Sequence, residues 1–177
     1  MVQDKSENKK IGVLGGTFDP AHIGRIKISK IAKIKFNLNQ VVWAVTKKNP
    51  FKNKSSQDLN KRIKFAKKLN LKNKFIKVLC FEDKIKSNRT IDLIKFLKKK
   101  NKNSDLYFIM GADNLVNFHK WKKHETIVKL CKILVFDRDG YKSKSIKSLS
   151  FKKYNKKSLY FIKFKKVKIS SSQLRKI

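Results

Sequence analysis

The sequence predicts an α/β fold of three layers around a central, mostly parallel sheet, and two observations carry that prediction. Apolar runs of strand length alternate with amphipathic stretches of helix length, the order that parallel strands joined by crossover helices produce. The run Val41-Val42-Trp43-Ala44-Val45 is apolar without alternation, as a strand buried on both faces should be.

Taken in order, strands are expected at 11–14, 41–45, 75–81, 106–110, 132–136 and 159–164. A helix over 24–36 follows from Ile26, Ile28, Ile31, Ile34 and Phe36 recurring among lysines. A second, over 58–69, has Asp58 as its N-cap and Ile63, Phe65, Ala66 and Leu69 facing inward. A third, over 90–99, carries an apolar stripe of Ile91, Ile94 and Leu97 with Leu93 and Phe96 beside it. Residues 47–57 and 139–157 are polar, lysine-rich and without period, so both read as loops. There is no internal repeat.

With 177 residues the chain has the length of one domain, and we read 1–177 as a single unit with 1–9 a flexible N-terminus. Hydrophobic residues make up 40%, thirteen of them Phe, which supplies a core and excludes disorder throughout. The net charge is +35, from 47 basic and 12 acidic residues. Arg25, Arg62, Arg89, Arg138 and Arg175 are the arginines; the other basic residues are lysines spread from Lys5 to Lys176. A dedicated nucleic-acid binder concentrates charge on one face, so this even spread fits a coding bias toward Lys, Asn, Ile and Phe better than a polyanion partner. No specific nucleic acid is expected, while an anionic substrate would be drawn to the protein. Cys80 and Cys131 stand in separate apolar runs without CxxC spacing and read as buried, reduced thiols. No apolar run approaches 18 residues, and 1–10 are polar. A soluble, cytoplasmic protein with no membrane partner is expected, and no oligomeric state is predicted.

Residues 15–25, GGTFDPAHIGR, place two glycines at the end of the first strand and a helix start a few residues on. Ligands of open α/β sheets bind at that end. Adjacent glycines let a phosphate approach the backbone, and a helix start offers unpaired N–H groups. A tight turn with a satisfied histidine is the plainer reading of either feature alone. The spacing is neither G-x-G-x-x-G nor a P-loop. Near the other end, ISSSQLRK (169–176) sets hydroxyl residues ahead of Arg175, the composition of an anion-binding helix start or of a polar tail.

Together these segments resemble the nicotinate-nucleotide adenylyltransferase family of the HxGH nucleotidylyltransferases. The first is similar to the family's GG(T/S)F(D/N)PxHxGH, with Arg25 where the pattern has its last histidine; the second is similar to ISSTxxR, with Ser172 for Thr. Between them, Asn49-Pro50-Phe51-Lys52 is similar to an NPxK loop, Gly111-Ala112-Asp113-Asn114 to GADN, and Phe118-His119-Lys120-Trp121 to a segment whose Trp stacks on nicotinate. Arg62 matches a basic position of the family in the next helix, though a solvated helix charge is the plainer reading. Thr90 falls in a segment similar to the family's YT element, with Arg89 in place of Tyr.

The resemblance implies a Rossmann-like fold of nucleotidylyltransferase type. It also implies transfer of the adenylyl group of ATP to nicotinate mononucleotide, with Mg²⁺ accompanying ATP and no metal held by the protein directly. The implied catalytic residues are His22, Arg25, Lys52 and Arg175. ATP would meet Gly15, Gly16, Thr17, Phe18, His22, Gly111, Asp113, Ser171, Ser172 and Arg175, and nicotinate mononucleotide would meet Thr90, Asp113 and Trp121. Asp113 could instead cap the helix that follows it. Arg25, a permanent cation with a fork of donors, can replace imidazole as a phosphate clamp, so Arg25→His should leave activity similar or raise it. Competing readings are a phosphopantetheine adenylyltransferase-like enzyme and a basic nucleic-acid-binding domain without chemistry.

Overall fold

Because successive side chains of a strand point to opposite faces, apolar runs such as 41–45 must feed two cores. The computed structural model, which describes residues 7–48 and 57–165, has that arrangement. In chain order the elements are β1 (Lys9–Gly16), α1 (Ile23–Phe36), β2 (Gln40–Val45), α2 (Leu59–Leu69), β3 (Ile76–Leu79), α3 (Glu82–Ile85) and α4 (Thr90–Lys100). Then come β4 (Ser104–Gly111), α5 (Ala112–Val116), a 3₁₀ turn (Phe118–Lys120), α6 (His124–Leu130), β5 (Cys131–Phe136), α7 (Lys142–Ile146), α8 (Leu149–Tyr154) and β6 (Leu159–Ile162). The sheet is parallel throughout, in the order β3-β2-β1-β4-β5-β6. This doubly wound order reverses between β1 and β4, which opens a crevice at their carboxyl ends.

One core packs Val13, Val42, Phe108 and Val135 against Ile91, Ile94 and Leu97 of α4 and Ile127 of α6. The other packs Leu14, Trp43, Ile109 and Phe136 with Ile26 and Ala32 of α1 and Ala66 of α2. Gly12 sits where the sheet and the chain after α1 come closest. A Cβ there would lie 2.9 Å from Leu38 Cδ1 and 3.2 Å from Val41 Cγ2.

Several expectations need correction. Lys9 and Lys10 already pair with Ser104 and Asp105, so residue 9 belongs to β1. On α1 the buried face is Gly24, Ile26, Ser29 and Ala32, while Ile34 is 81% exposed. Small residues set that face because the helix lies close to Trp43, whose Nε1–H donates to Ser29 Oγ at 2.9 Å; that hydroxyl donates in turn to the Arg25 carbonyl at 2.8 Å. Phe65 of α2 is exposed, its inward place being taken by Arg62. Cys131 is buried, and burial pushes its thiol up to about 12, whereas Cys80 is only half-buried.

Residues 139–157 contain α7 and α8 rather than a loop. Their period was hidden because small polar residues take the inward places: Ser145 and Ser150 are buried, and Ser148 caps α8 by accepting from the Phe151 N–H at 3.2 Å. Tyr154 anchors the end of α8, its hydroxyl 3.0 Å from His124 Nδ1.

Ser29→Ala leaves the buried indole N–H of Trp43 without an acceptor. The expected loss is about 1–3 kcal/mol of unfolding free energy in urea, with an unchanged denaturant slope. A loss within about 0.5 kcal/mol, the range of neutral surface changes, would show that this bond contributes nothing.

Candidate active site

The crevice is built from four strand ends. β1 runs into Gly15 and Gly16, and the Gly16 carbonyl accepts from the Thr46 N–H at 2.9 Å, which ties the turn to the end of β2. Phe18 then adopts a left-handed conformation at φ 51°, costly for a residue with a side chain. Burial compensates: its ring is enclosed and stacks on Trp43 at a centroid distance of 4.8 Å. What Phe18 presents to a ligand is therefore its main chain.

His22 is the N-cap of α1, in extended conformation and with no side-chain capping bond, and its carbonyl accepts from the Arg25 N–H at 3.0 Å. Its Nδ1 is buried without a hydrogen-bond partner. Burial, and then the charges of Arg25 and Arg138, pull its pKa down to about 4. His22 is thus neutral at neutral pH.

One helical turn on, the Arg25 guanidinium lies 4.5 Å from the centre of the Phe18 ring. It also covers Gly16: a Cβ there would lie 3.1 Å from both Nη1 and Nη2, so glycine is what lets the guanidinium rest on the turn. Arg25 Nε is buried and unpartnered. Burial first, then Arg138, lower its pKa to about 10 against the opposing pull of Asp113, and Arg25 stays a cation.

From the other side of the crevice, Gly111 is the N-cap of α5 and Asp113 lies in its first turn. Asp113 makes no capping bond. Its Oδ2 accepts from Arg138 Nη1 at 2.7 Å, while Oδ1 is buried, unpaired and 2.5 Å from where a Cβ on Gly111 would be. Of the two readings of Asp113, the cap is set aside by this geometry. Trp121 is half-buried, edge-on to Phe108 of β4 at 6.1 Å and to Phe118 at 5.3 Å. Phe108 in turn lies 3.9 Å from the Cβ position of Gly15, so Trp121 lies on the sheet face that Gly15 opens, opposite the core that holds Phe18. Thr90 opens α4 and is half-buried.

The structure thus gathers Gly16, Phe18, His22, Arg25, Gly111 and Asp113 at one crevice. Lys52, Ser171, Ser172 and Arg175 lie outside the described residues. Two arginines were missed or misread. Arg138 was noted only as part of the charge, although its place directly after β5 is where the strand-end rule would look. Arg62 was read as solvated, yet it is 2% exposed and donates to Gln57, Thr17, Thr46 and Lys47 carbonyls.

Arg138 pairs with Asp113, and Arg25 lies beside them within reach of both charges, its Nε unpaired. Such a site receives an anion with several oxygens, such as a polyphosphate. With the strand order, this defines a nucleotide-binding α/β protein of the nucleotidyltransferase class. A cytidylyltransferase-like family model matches residues 13–177. The chain is 62% identical over 168 residues to a probable nicotinate-nucleotide adenylyltransferase of Pelagibacter ubique, covering 95% of this chain and 93% of that protein. It is 34% identical to one from Clostridium novyi, covering 94% and 86%. The fold matches the Plasmodium falciparum nicotinic acid mononucleotide adenylyltransferase complexed with NaAD, with TM-score 0.74 and 22% identity over 95% of this chain and 83% of that one. The chain belongs to the nicotinate-nucleotide adenylyltransferase family.

Proposed function

We infer that this protein transfers the adenylyl group of ATP to nicotinate mononucleotide, giving nicotinate adenine dinucleotide and pyrophosphate. The observation that carries the reading is the cationic crevice over the glycine turn, with His22 Nδ1 and Arg25 Nε unpaired. A phosphate oxygen of the mononucleotide attacks the α-phosphorus of ATP in line, and the bond to the pyrophosphate oxygen breaks. No protein nucleophile is needed, because the attacking oxyanion is already nucleophilic. What the chain must do is hold two polyanions together and neutralise the leaving pyrophosphate.

In this reading the main chain at Gly15–Thr17 and Phe18 and the start of α1 receive ATP phosphates, and Arg25 clamps the triphosphate. His22, neutral in the free protein, hydrogen-bonds to the reacting phosphates. Lys52, Ser171, Ser172 and Arg175 are assigned to the same phosphates on the family pattern alone. Gly111 gives close approach to the nucleoside, Asp113 takes a ribose hydroxyl, and Thr90 and Trp121 receive the nicotinate end. A magnesium ion carried by the triphosphate would neutralise part of its charge, and the unpaired Asp113 Oδ1 suits a water of its shell. We read 1–177 as one domain. No helix among the described residues is long and apolar enough to cross a membrane, and a cytoplasmic setting suits an ATP-consuming reaction.

The test is pyrophosphate release from ATP with nicotinate mononucleotide, nicotinamide mononucleotide or phosphopantetheine as acceptor. Release with the nicotinate nucleotide in preference to phosphopantetheine is expected. Preference for phosphopantetheine, or no release with any acceptor, would overturn the reading.

A further inference from the structure

A guanidinium offers five N–H donors in one plane, and Arg62 spends four donor bonds on main-chain carbonyls from three parts of the chain. Its Nη1 donates to Thr17 at 2.6 Å, in the glycine turn, and to Thr46 at 2.9 Å, just past β2. Nη2 donates to Lys47 at 3.0 Å, and Nε donates to Gln57 at 3.1 Å, on the approach to α2. Both ends of the stretch that contains Lys52, Lys47 and Gln57, are thus tied to the side chain that holds the glycine turn. Glu82 works beside it, Oε2 accepting from the Lys47 N–H at 3.0 Å.

A buried cation is a poor way to stabilise a fold, because desolvation offsets most of what its bonds return and an apolar side chain would serve as well. What four carbonyl bonds do supply is a fixed distance between the turn at Thr17 and the end of β2. The Gly16 carbonyl is already bonded to the Thr46 N–H, so Arg62 completes a two-sided hold on this turn.

We propose that Arg62 is a positioning residue for adenylyl transfer: it sets the Gly16–Thr17 turn against the end of β2 and so places the main-chain donors that receive the nucleotide phosphates. The inference rests on the function proposed above. Lysine keeps the charge but has a tetrahedral head that cannot span four carbonyls lying about one plane.

The experiment compares wild type with Arg62→Lys and Arg62→Gln in steady-state pyrophosphate release, varying each substrate, at a temperature well below each thermal midpoint. The Lys variant is expected to lose about 100-fold in kcat/KM for ATP, with KM for ATP raised, while KM for nicotinate mononucleotide stays within about twofold. A purely structural role would lower kcat through loss of folded enzyme and leave both KM values unchanged. That pattern, or a folded variant within about threefold of wild type, overturns the proposal. Should the Lys variant not fold, the Gln variant, which keeps two N–H donors without a buried charge, is read by the same criteria. If wild type itself releases no pyrophosphate, the reading of the reaction fails. Calorimetric ATP binding to wild type and the Lys variant then decides the role of Arg62, weaker binding by the variant supporting it and equal affinities overturning it.

Discussion

Arg25→Ala is expected to lower kcat/KM for adenylyl transfer by about 100- to 1,000-fold, the 2.7–4 kcal/mol that one preorganised charge contact supplies to a transition state. The cause is local. The guanidinium rests on the Phe18 ring and on Gly16, so it is held in place before substrate arrives. Arg25→His should retain activity but acquire a pH dependence that wild type lacks. The same burial and the same Arg138 charge that lower Arg25 would lower an imidazole from its ordinary pKa near 6.5. The rate of the His variant should then fall as pH rises through the acid range below 6.5, whereas the wild-type guanidinium stays charged up to about 10. Parallel pH profiles for the two proteins, or an Ala variant within about threefold of wild type, would remove Arg25 from the triphosphate.

His22→Ala should cost a similar factor, about 100-fold or more, measured as kcat/KM for ATP at pH 7.5. The same residue also shapes stability. Its native pKa of about 4 lies below the ordinary value of 6.5, so between these pH values the unfolded chain binds more protons than the native one. The contribution to stability is therefore complete above about pH 6.5 and is lost as pH falls toward 4. Allowing for solvent screening of a partly exposed ring, this acid-side loss is about 1–2 kcal/mol. Urea unfolding of wild type and His22→Asn across this range should show the variant with the shallower acid slope. Identical slopes would mean that His22 titrates normally in the folded protein.

The apolar runs were legible because a strand covered on both faces must be apolar at every position, whatever its partners. That alone foretold β1, β2, β4 and β5. The edge strand β3 is shorter than the predicted 75–81 because one of its faces is wet, and its residues alternate between buried and exposed. The helices α7 and α8 could not be read, since buried serines bonded to nearby main chain look like solvated ones in a sequence. On α1, Ile26, Ile28, Ile31 and Phe36 do pack on the core, but Ile34 is exposed and the places nearest Trp43 go to Ser29 and Ala32, because close approach favours small residues there.

The sequence by itself determined the alternation of elements, and hence the parallel sheet and the end of it where a ligand binds. It also placed Gly16, His22 and Asp113 there, because all of these follow from local order along the chain. Only the tertiary structure decided what the charges do. Arg62 is buried and ties three segments together, Arg138 rather than a helix end takes Asp113, and Arg25 lies across Gly16. An arginine at the surface and one in the interior are the same letter. The difference lies in which carbonyls and carboxylates the fold brings within 3 Å of it, over separations of up to 45 residues that no local pattern records.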